Sequence, residues 1–344
     1  MVKVLNFTGQ QQVLIRTPED ESTSFSFLEI IDRVDRLPLD YERNDNYKEN
    51  VYQLTTHDGL KIGFVLSFIL EEFRRVDNKV FEEIFLVDEK KHSISFRSTD
   101  FDQRNKQISD FAKSLYDKST LEGIKGWRNE RYAVWAPRAI PYVLVERAMA
   151  GILGIITYGV HINGYVVDET TREIRVWVPR RSANKPTWPS MLDNIIAGGL
   201  GYPYGIEETV FKESVEEANL PKSVIKKCIK AAGVVSYLYY PKNIQEDTFT
   251  TESSFIVGEV EYIYDLKLDH DIIPTPNDGE VDSFNLFTLQ EVIEALQNGE
   301  FKPNCALVMV DFLIRHGYIT TENEPNYLEI VNKMHRALPF PTLN

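Results

Sequence analysis

The chain has 344 residues, 43% hydrophobic and 26% charged, and its 52 acidic residues outnumber 38 basic ones for a formal net charge of −14. This length favours two domains, and the apolar fraction excludes a disordered chain. The apolar runs are too short, or too interrupted by charges, to predict a membrane span. The acidic excess argues against nucleic acid and membrane partners, so a phosphorylated ligand would need added cations.

The N-terminal segment, residues 1–23, is expected to be a disordered tail. It lacks an apolar signal core, and the acidic run Glu19–Glu21 argues against an organellar transit peptide. The cysteines, Cys228 and Cys305, show neither disulfide nor zinc spacing. These features together predict a cytoplasmic protein with reduced thiols.

Residues 24–138 are predicted to form a smaller mixed α/β domain. Apolar residues at helical spacing after Phe25 predict a first helix, which Pro38 ends, and Ile108–Tyr116 predicts a second. Strands are predicted at Lys61–Ser67, Val80–Val87 and Ser93–Phe96. Prolines at positions 137 and 141 place the domain boundary at 138/139.

Residues 139–344 are predicted to form the second domain, an α/β sandwich with a mixed sheet. Strands and helices alternate irregularly, which argues against a strictly alternating parallel sheet. Helices are predicted at Tyr142–Gly151, Ile206–Ala218, Ser223–Ala232, Thr288–Gln297 and Asn304–His316. Strands are predicted at Gly159–Val167, Glu173–Val178, Asp193–Ala197, Val234–Tyr240, Ser254–Asp265 and Glu280–Leu286.

A glycine-rich turn over residues 198–205 leads into an acidic helix. The turn is neither a P-loop nor a dinucleotide fingerprint, because the Gly-Lys-Ser/Thr and the required glycine spacing are absent. On the helix, Glu213, Glu216 and Glu217 stand at i, i+3 and i+4 and therefore share one face. Such a face is either solvated or a site for a hard cation such as Mg²⁺, which prefers oxygen ligands.

The segment Gly198–Leu220 resembles the Nudix box, G-x5-E-x7-R-E-U-x-E-E-x-G-U, in which U is aliphatic. The residues in register are Gly198, Glu213, Glu216, Glu217 and Leu220, and Lys212 replaces the arginine conservatively. Three positions depart from the pattern, namely Tyr204, Ser214 and Asn219. Because Tyr204 stands where the first glutamate belongs, Glu207 or Glu208 is the expected substitute partner for Lys212.

The flanking segments resemble the Nudix subfamily related to thiamine metabolism, found alone or fused to thiamine pyrophosphokinase. They are Gly126–Glu130, Trp177–Asp193, Asp278–Val281, Phe301–Asn304 and Asp311–Gly317. The resemblance implies a Nudix α/β/α sandwich preceded by the N-terminal domain peculiar to that group. It also implies metal-dependent hydrolysis of damaged (oxidised) thiamine diphosphates to the monophosphate and phosphate.

The same resemblance implies the site residues. Mg²⁺ or Mn²⁺ would be bound by Glu213, Glu216 and Glu217 together with the Gly198 carbonyl. The metal would neutralise the diphosphate and acidify a water molecule, which Glu216, Glu217 or Glu280 would orient or deprotonate. Glu280 is equally well explained as an exposed acid after an Asp-Gly turn.

Two further groups of residues are candidate substrate contacts. Arg180, Arg181 and Lys185 form either a solvated basic loop or a clamp for the terminal phosphate. The aromatic residues Trp188, Tyr202 and Tyr204 are either packed side chains or stack on a heteroaromatic ring, a cationic one being favoured.

Alternatives remain open at this point. The substrate could be an oxidised nucleoside diphosphate such as 8-oxo-dGDP, or the chain could be a degenerate Nudix module that binds a ligand without turnover. Isomerisation of isopentenyl diphosphate is disfavoured, because Cys228 lies on a predicted helix behind the site. The expected partner is a small organic diphosphate, and the N-terminal domain is expected to wall one side of the pocket or to support a homodimer.

Overall fold

The computed structural model describes residues 2–7, 10–22, 25–239 and 249–344. Its first elements are the strands β1 (Lys3–Leu5) and β2 (Val13–Ile15), which pair antiparallel, and the helices α1 (Pro18–Ser22) and α2 (Leu28–Ile31). The described part of the predicted tail is thus ordered in the structure, and the predicted boundary at 23/24 lies outside the described residues. Burial explains this order, because Leu14 and Ile31 pack into the core of the C-terminal unit.

The N-terminal unit is built on a four-stranded sheet with the order β4-β3-β6-β5, in which β3 and β6 are parallel. Its elements are α3 (Asp45–Asn50), β3 (Val51–Thr55), β4 (Lys61–Leu66), α4 (Ser67–Ile84), β5 (Phe85–Asp88), β6 (Ser93–Phe96), α5 (Phe101–Lys118) and α6 (Glu122–Lys125). The predicted strand Val80–Val87 is wrong over most of its length. Phe81 and Ile84 bury a helical face of α4, and the strand begins only at Phe85.

A hairpin of β7 (Arg131–Ala136) and β8 (Ile140–Glu146) follows, and the predicted boundary at 138/139 falls in its turn. Strand β8 packs on α5, where Arg104 Nε donates to the Tyr142 carbonyl over 3.0 Å. Half of the predicted helix Tyr142–Gly151 is therefore strand, namely Tyr142–Glu146, and helix α7 (Ala150–Leu153) is short. Pairing with β7 in the hairpin and packing on α5 decide the structure of this segment.

The C-terminal unit has a sheet with the order β12-β13-β9-β10-β14, and β11 also pairs with β9. Strands β9 and β13 are parallel, and the other pairs are antiparallel. The strands are β9 (Ile156–Val167), β10 (Ile174–Arg181), β11 (Ile196–Gly199), β12 (Ile229–Tyr239), β13 (Val257–Lys267) and β14 (Val281–Thr288). The helices are α8 (Ile206–Ala218), α9 (Lys222–Cys228), α10 (Leu289–Gln297), α11 (Pro303–Arg315) and α12 (Tyr327–Met334). The predicted strand Val234–Tyr240 ends on Tyr240, which lies outside the described residues.

Two apolar cores cover the two faces of this sheet, because successive side chains of a strand point to opposite sides. On β10, Val176 and Val178 face α10, α11 and α12, whereas Trp177 faces α8 and α9. The architecture is an α/β/α sandwich with a mixed sheet, and the predicted fold class is confirmed. Among the described residues, every helix falls short of the length and apolarity needed to cross a bilayer.

Candidate active site

A cleft of about 410 Å³ lies at the end of the C-terminal sheet, beside α8 and the turn that follows β11. It brings together eight of the residues predicted from the sequence: Arg181, Lys185, Gly198, Tyr204, Glu213, Glu216, Glu217 and Glu280. It is also lined by Arg128, Glu130, Arg147, Thr187, Ala197, Gly199, Lys212, Asp278 and Lys302. Residues from both units therefore form the cleft.

Gly198 allows the closest approach between β11 and α8. A Cβ atom at position 198 would lie 2.2 Å from Cγ and 2.3 Å from Cδ of Glu213. Any side chain there would displace the carboxylate, since real Cβ atoms do not approach so closely. The glycine thus places the Glu213 carboxylate directly against the backbone of β11.

Glu217 is the buried member of the acidic face. One of its oxygens, Oε2, accepts a hydrogen bond of 2.8 Å from the Ala197 backbone N–H. Burial raises the pKa of Glu217 well above its usual range, and the charges of Asp193 and Glu213 raise it further. The carboxylate is thus poised to bind a cation or to accept a proton.

Lys212 lies between two of the glutamates. Its Nζ is 2.9 Å from Glu213 Oε1 and 3.1 Å from Glu216 Oε2. Burial alone would lower the pKa of Lys212, but the hydrogen bonds and charges of these glutamates raise it overall. The expected partner Glu208 is occupied elsewhere, since it accepts the Gly205 N–H over 2.9 Å at the start of α8. Lys212 therefore pairs with two glutamates of the segment that resembles the Nudix box.

This donor set fits a divalent cation. It consists of hard oxygen ligands, namely the Gly198 carbonyl and three carboxylates, one of which is the buried Glu217, whose charge is opposed by like charges. Within the described ranges no three acidic, histidine or cysteine side chains are already gathered around one point. Lys212 holds Glu213 and Glu216 instead, so a metal ion would bind with rearrangement of these pairs.

Glu280 is paired with basic residues across the cleft. Its Oε2 is 2.5 Å from Lys185 Nζ, and its Oε1 is 3.9 Å from Arg128 Nη1. Burial works to raise the pKa of Glu280, but Lys185 and Arg128 lower it overall. A carboxylate held in this way is a weaker base than Glu217, which favours Glu217 for accepting a proton.

The two arginines of β10 bind the loop that follows them, so their guanidinium groups are engaged by the protein itself. Arg180 lies outside the cleft and donates from Nη1 to the Ser190 carbonyl over 2.7 Å. Arg181 lines the cleft, but it donates to the carbonyls of Trp188 and Thr187 and pairs with Asp193 at 2.7 Å. The register of β10 against β14 shifts between these two residues, and only Arg181 reaches the buried Asp193.

We predict that Arg181→Ala destabilises the protein. Arg181 and Asp193 are both nearly buried, so removing the guanidinium takes away the ion-pair partner of the carboxylate and leaves its charge balanced by Lys302, at a cost of about 2 kcal/mol. The free energy of unfolding, measured by urea denaturation, tests this. Arg180→Ala is the matched control, and we expect it to cost below about 1 kcal/mol because that side chain is half-buried and bonds only a backbone carbonyl, not a buried charge. Equal losses in the free energy of unfolding for Arg181→Ala and Arg180→Ala would contradict a structural role of the ion pair between Arg181 and Asp193.

The three predicted aromatic contacts lie in three different settings. Tyr204 lines the cleft and also an adjoining recess of about 210 Å³. Tyr202 lies only in that recess, which Tyr132, Trp135 and Tyr158 also line; we call it the tyrosine recess. Trp188 lines a third cavity, on the other side of Thr187 and Lys302.

Sequence reasoning missed several charged residues of the cleft. Arg128 and Glu130 stand just before β7, and Arg147 Nη1 pairs with Glu130 Oε2 at 2.8 Å. The N-terminal unit therefore does wall one side of the cleft. The signal for Arg147 was a charge within an otherwise apolar run, whereas Lys302 lay in the flanking segment Phe301–Asn304, to which no chemical role was assigned.

Comparisons with known proteins agree with this description. A family profile described as "Domain of unknown function (DUF4743)" matches residues 30–157. The chain is 66% identical over 343 residues to "Uncharacterized protein YJR142W" of Saccharomyces cerevisiae, covering all of both chains. It is 37% identical over 235 residues to "Nudix hydrolase 20, chloroplastic" of Arabidopsis thaliana, covering 68% of this chain and 58% of that protein.

A solved structure, DR0079 from Deinococcus radiodurans, aligns with 45% of this chain and 83% of its own at 18% identity and a TM-score of 0.33, too weak a likeness to add to the assignment.

The α/β/α sandwich presents a lysine-paired glutamate helix beside a glycine-containing strand. With 37% and 36% identity to two plant Nudix hydrolases, the chain belongs to the Nudix hydrolase superfamily. It spans 58% and 60% of the length of those two relatives.

Proposed function

We propose that the protein hydrolyses organic diphosphates to the monophosphate and phosphate with the help of a divalent cation, Mg²⁺ or Mn²⁺. The observation that carries this proposal is the acidic face of α8, with Glu217 buried and Glu213 pressed against Gly198. Lys185, Arg128 and Arg147 line the same cleft. An anionic diphosphate can bind in this cleft only if cations mediate, because the glutamates alone would repel it.

Glu213, Glu216, Glu217 and the Gly198 carbonyl would hold the metal. When bound, it would neutralise the diphosphate, stabilise the charge that develops in the transition state and acidify a water molecule.

Side chains of the protein itself accept the proton and bind the phosphate. Glu217 Oε1, the oxygen not engaged by the Ala197 N–H, accepts the proton of the attacking water. Lys185 is released from Glu280 as the diphosphate binds, and with Arg128 it holds the terminal phosphate oxygens. Arg147 stays fixed by Glu130 on the wall of the cleft. The organic monophosphate then leaves with its ester bond intact.

For the organic group we propose a damaged, oxidised thiamine. This finer assignment is supported by the resemblance of the flanking segments to the thiamine-related Nudix group. It is also supported by the aromatic side chains that border the cleft, Tyr204 within it and Trp188 in the cavity beyond Lys302. A cationic thiazolium ring would be attracted to such aromatic faces.

A phosphate-release assay over a panel of diphosphates tests the proposal. We expect turnover of oxythiamine diphosphate in Mg²⁺ at a kcat/KM above those for thiamine diphosphate and 8-oxo-dGDP, and a loss of at least about 100-fold in excess EDTA. Restoring Mg²⁺ is the control, since it should recover the activity. Activity that persists in EDTA would contradict the metal site, and a higher kcat/KM for 8-oxo-dGDP would contradict the substrate.

A further inference from the structure

Two glycines of the glycine-rich turn lie directly against side chains of the N-terminal unit. A Cβ atom at Gly199 would lie 2.3 Å from Tyr132 Oη, and one at Gly201 would lie 2.5 Å from Glu130 Oε1. Neither glycine has a positive φ, so the backbone conformation itself does not require glycine there. Glycine is needed instead for space, because a side chain at either position would push the N-terminal unit away from the turn. The turn therefore forms a seat for that unit.

Backbone hydrogen bonds fix the hairpin β7–β8 on this seat. The Tyr202 N–H of the turn donates to the Arg131 carbonyl at the start of β7 over 2.7 Å. The Arg147 N–H, directly after β8, donates to the Glu130 carbonyl over 2.8 Å. Arg147 is thereby held beside the turn, and its Nη1 would lie 3.7 Å from a Cβ atom at Gly199.

The Arg147 guanidinium is oriented by the protein but keeps donors for a ligand. Its Nη1 pairs with Glu130 Oε2 at 2.8 Å, and its central carbon lies 5.5 Å from the centre of the Tyr132 ring. Its Nε and Nη2 atoms have no hydrogen-bond acceptor among the residues that the structure describes, and the side chain lines the cleft at 39% exposure. Glu130 balances the charge of Arg147, but the remaining N–H groups of the planar guanidinium can still bind phosphate oxygens at short range.

Arg147 and Glu213 approach neighbouring residues of β11 from opposite faces. Glu213 packs against Gly198 and Arg147 lies beside Gly199, and successive side-chain positions of a strand point to opposite sides. Both side chains line the cleft. Strand β11 therefore brings a cationic group of the N-terminal unit close to the acidic face of the C-terminal unit.

We infer that the glycine-rich turn is the docking seat of the N-terminal unit and that this unit thereby supplies a catalytic residue, Arg147. This inference rests on the proposed diphosphatase function. The oxygen of water bonds to phosphorus, and the electron pair of the broken bridging P–O bond leaves with the other phosphate. Arg147 donates from Nε and Nη2 to the oxygens of the attacked phosphate, where it stabilises the charge of the transition state. Glu130 and Tyr132 are positioning residues, since they hold the guanidinium.

Arg147→Ala tests the catalytic role. We expect kcat for oxythiamine diphosphate to fall about 100-fold, because a preorganised donor is lost. Imidodiphosphate, whose P–N–P bridge resists hydrolysis, should bind in Mg²⁺ with a Kd about 10-fold higher. Guanidinium chloride below denaturing concentrations should restore part of kcat in Arg147→Ala but not in Glu217→Gln, which a merely structural role would not produce. Arg131→Ala removes an exposed arginine of the same hairpin and is the matched control, with both values within about twofold.

Gly199→Ala tests the docking seat. The added methyl group would collide with Tyr132 Oη and displace the hairpin that carries Arg147, so we expect kcat to fall about 10-fold. Tyr132→Phe removes this oxygen and leaves the nearest ring carbon at 3.3 Å, so the double variant should recover most of the loss. A loss in Gly199→Ala that Tyr132→Phe does not relieve would overturn the assignment of the seat.

The two measurements separate failure of this inference from failure of the proposed function. If the wild-type protein hydrolyses diphosphates and Arg147→Ala leaves kcat and Kd unchanged, the role of Arg147 is overturned and the proposed function stands. If imidodiphosphate binds more weakly to Arg147→Ala but the wild-type protein hydrolyses no diphosphate, the proposed function is contradicted and Arg147 remains a diphosphate ligand. A wild-type protein that neither hydrolyses diphosphates nor binds imidodiphosphate would overturn both.

Discussion

Glu217→Gln is expected to lower the rate of phosphate release by about 10³-fold at saturating Mg²⁺. Glutamine can still accept the Ala197 N–H, so the local structure is kept. It carries no charge, however, and can neither hold a metal ion firmly nor take a proton from water. Glu207→Gln, on the exposed first turn of the same helix, is the control and should retain activity within about twofold. Unchanged release by Glu217→Gln would contradict the catalytic assignment.

The same substitution should stabilise the metal-free protein at high pH. Because the pKa of Glu217 is raised from 4.5 by burial and by Asp193, the folded state binds a proton that the unfolded state has already lost. Stability therefore falls as pH rises above 4.5, and the glutamine variant avoids this loss. In EDTA at pH 8 we expect the variant to be more stable by at least about 1 kcal/mol, and at pH 4 equally stable. If the free energy of unfolding of the two proteins, measured by urea denaturation, changed with pH in the same way, a destabilising charge on Glu217 would be contradicted.

Local patterns predicted the elements that carry the acidic face. Helix α8 runs from Ile206 to Ala218, as its apolar spacing and flanking turn signals indicated. Strand β6 likewise matches its predicted bounds, Ser93–Phe96. In both cases the residues that decide the structure lie within a few positions of one another, so the sequence contains the whole signal.

Contacts between elements account for what the sequence did not predict. Tyr142–Val145 form a strand because they pair with β7 and pack on the distant helix α5, although their spacing also suits a helix. Glu130 and Arg147 reach the cleft only because the hairpin β7–β8 folds against the C-terminal unit. Arg180 and Arg181 differ in role because only Arg181 reaches the buried Asp193, which two adjacent arginines in the sequence cannot reveal.

Gly198→Ala should remove most of the activity although it changes no ionisable group. The added methyl group would fall 2.2 Å from Glu213 Cγ, and neither β11, which pairs with β9, nor α8 has room to shift freely. The Glu213 carboxylate must therefore move, at a cost in stability of about 1–3 kcal/mol. We expect phosphate release to fall by about 100-fold, since a displacement of about 1 Å at a reacting centre has that effect.

Gly205→Ala is the matched control, because its added Cβ would meet only Glu208 Oε2 at an ordinary 3.7 Å. It should retain activity within about threefold and lose below about 1 kcal/mol from the poorer helix cap. Activity in Gly198→Ala can be lost through weaker metal binding or through misplaced reacting groups, and raising the Mg²⁺ concentration distinguishes these two causes. If the displaced Glu213 only weakens metal binding, excess Mg²⁺ restores the rate, while kcat stays low if Glu213 also positions the reacting groups. Full activity in Gly198→Ala at ordinary Mg²⁺ would show that the contact between β11 and Glu213 is not required, and would contradict its place in the metal site.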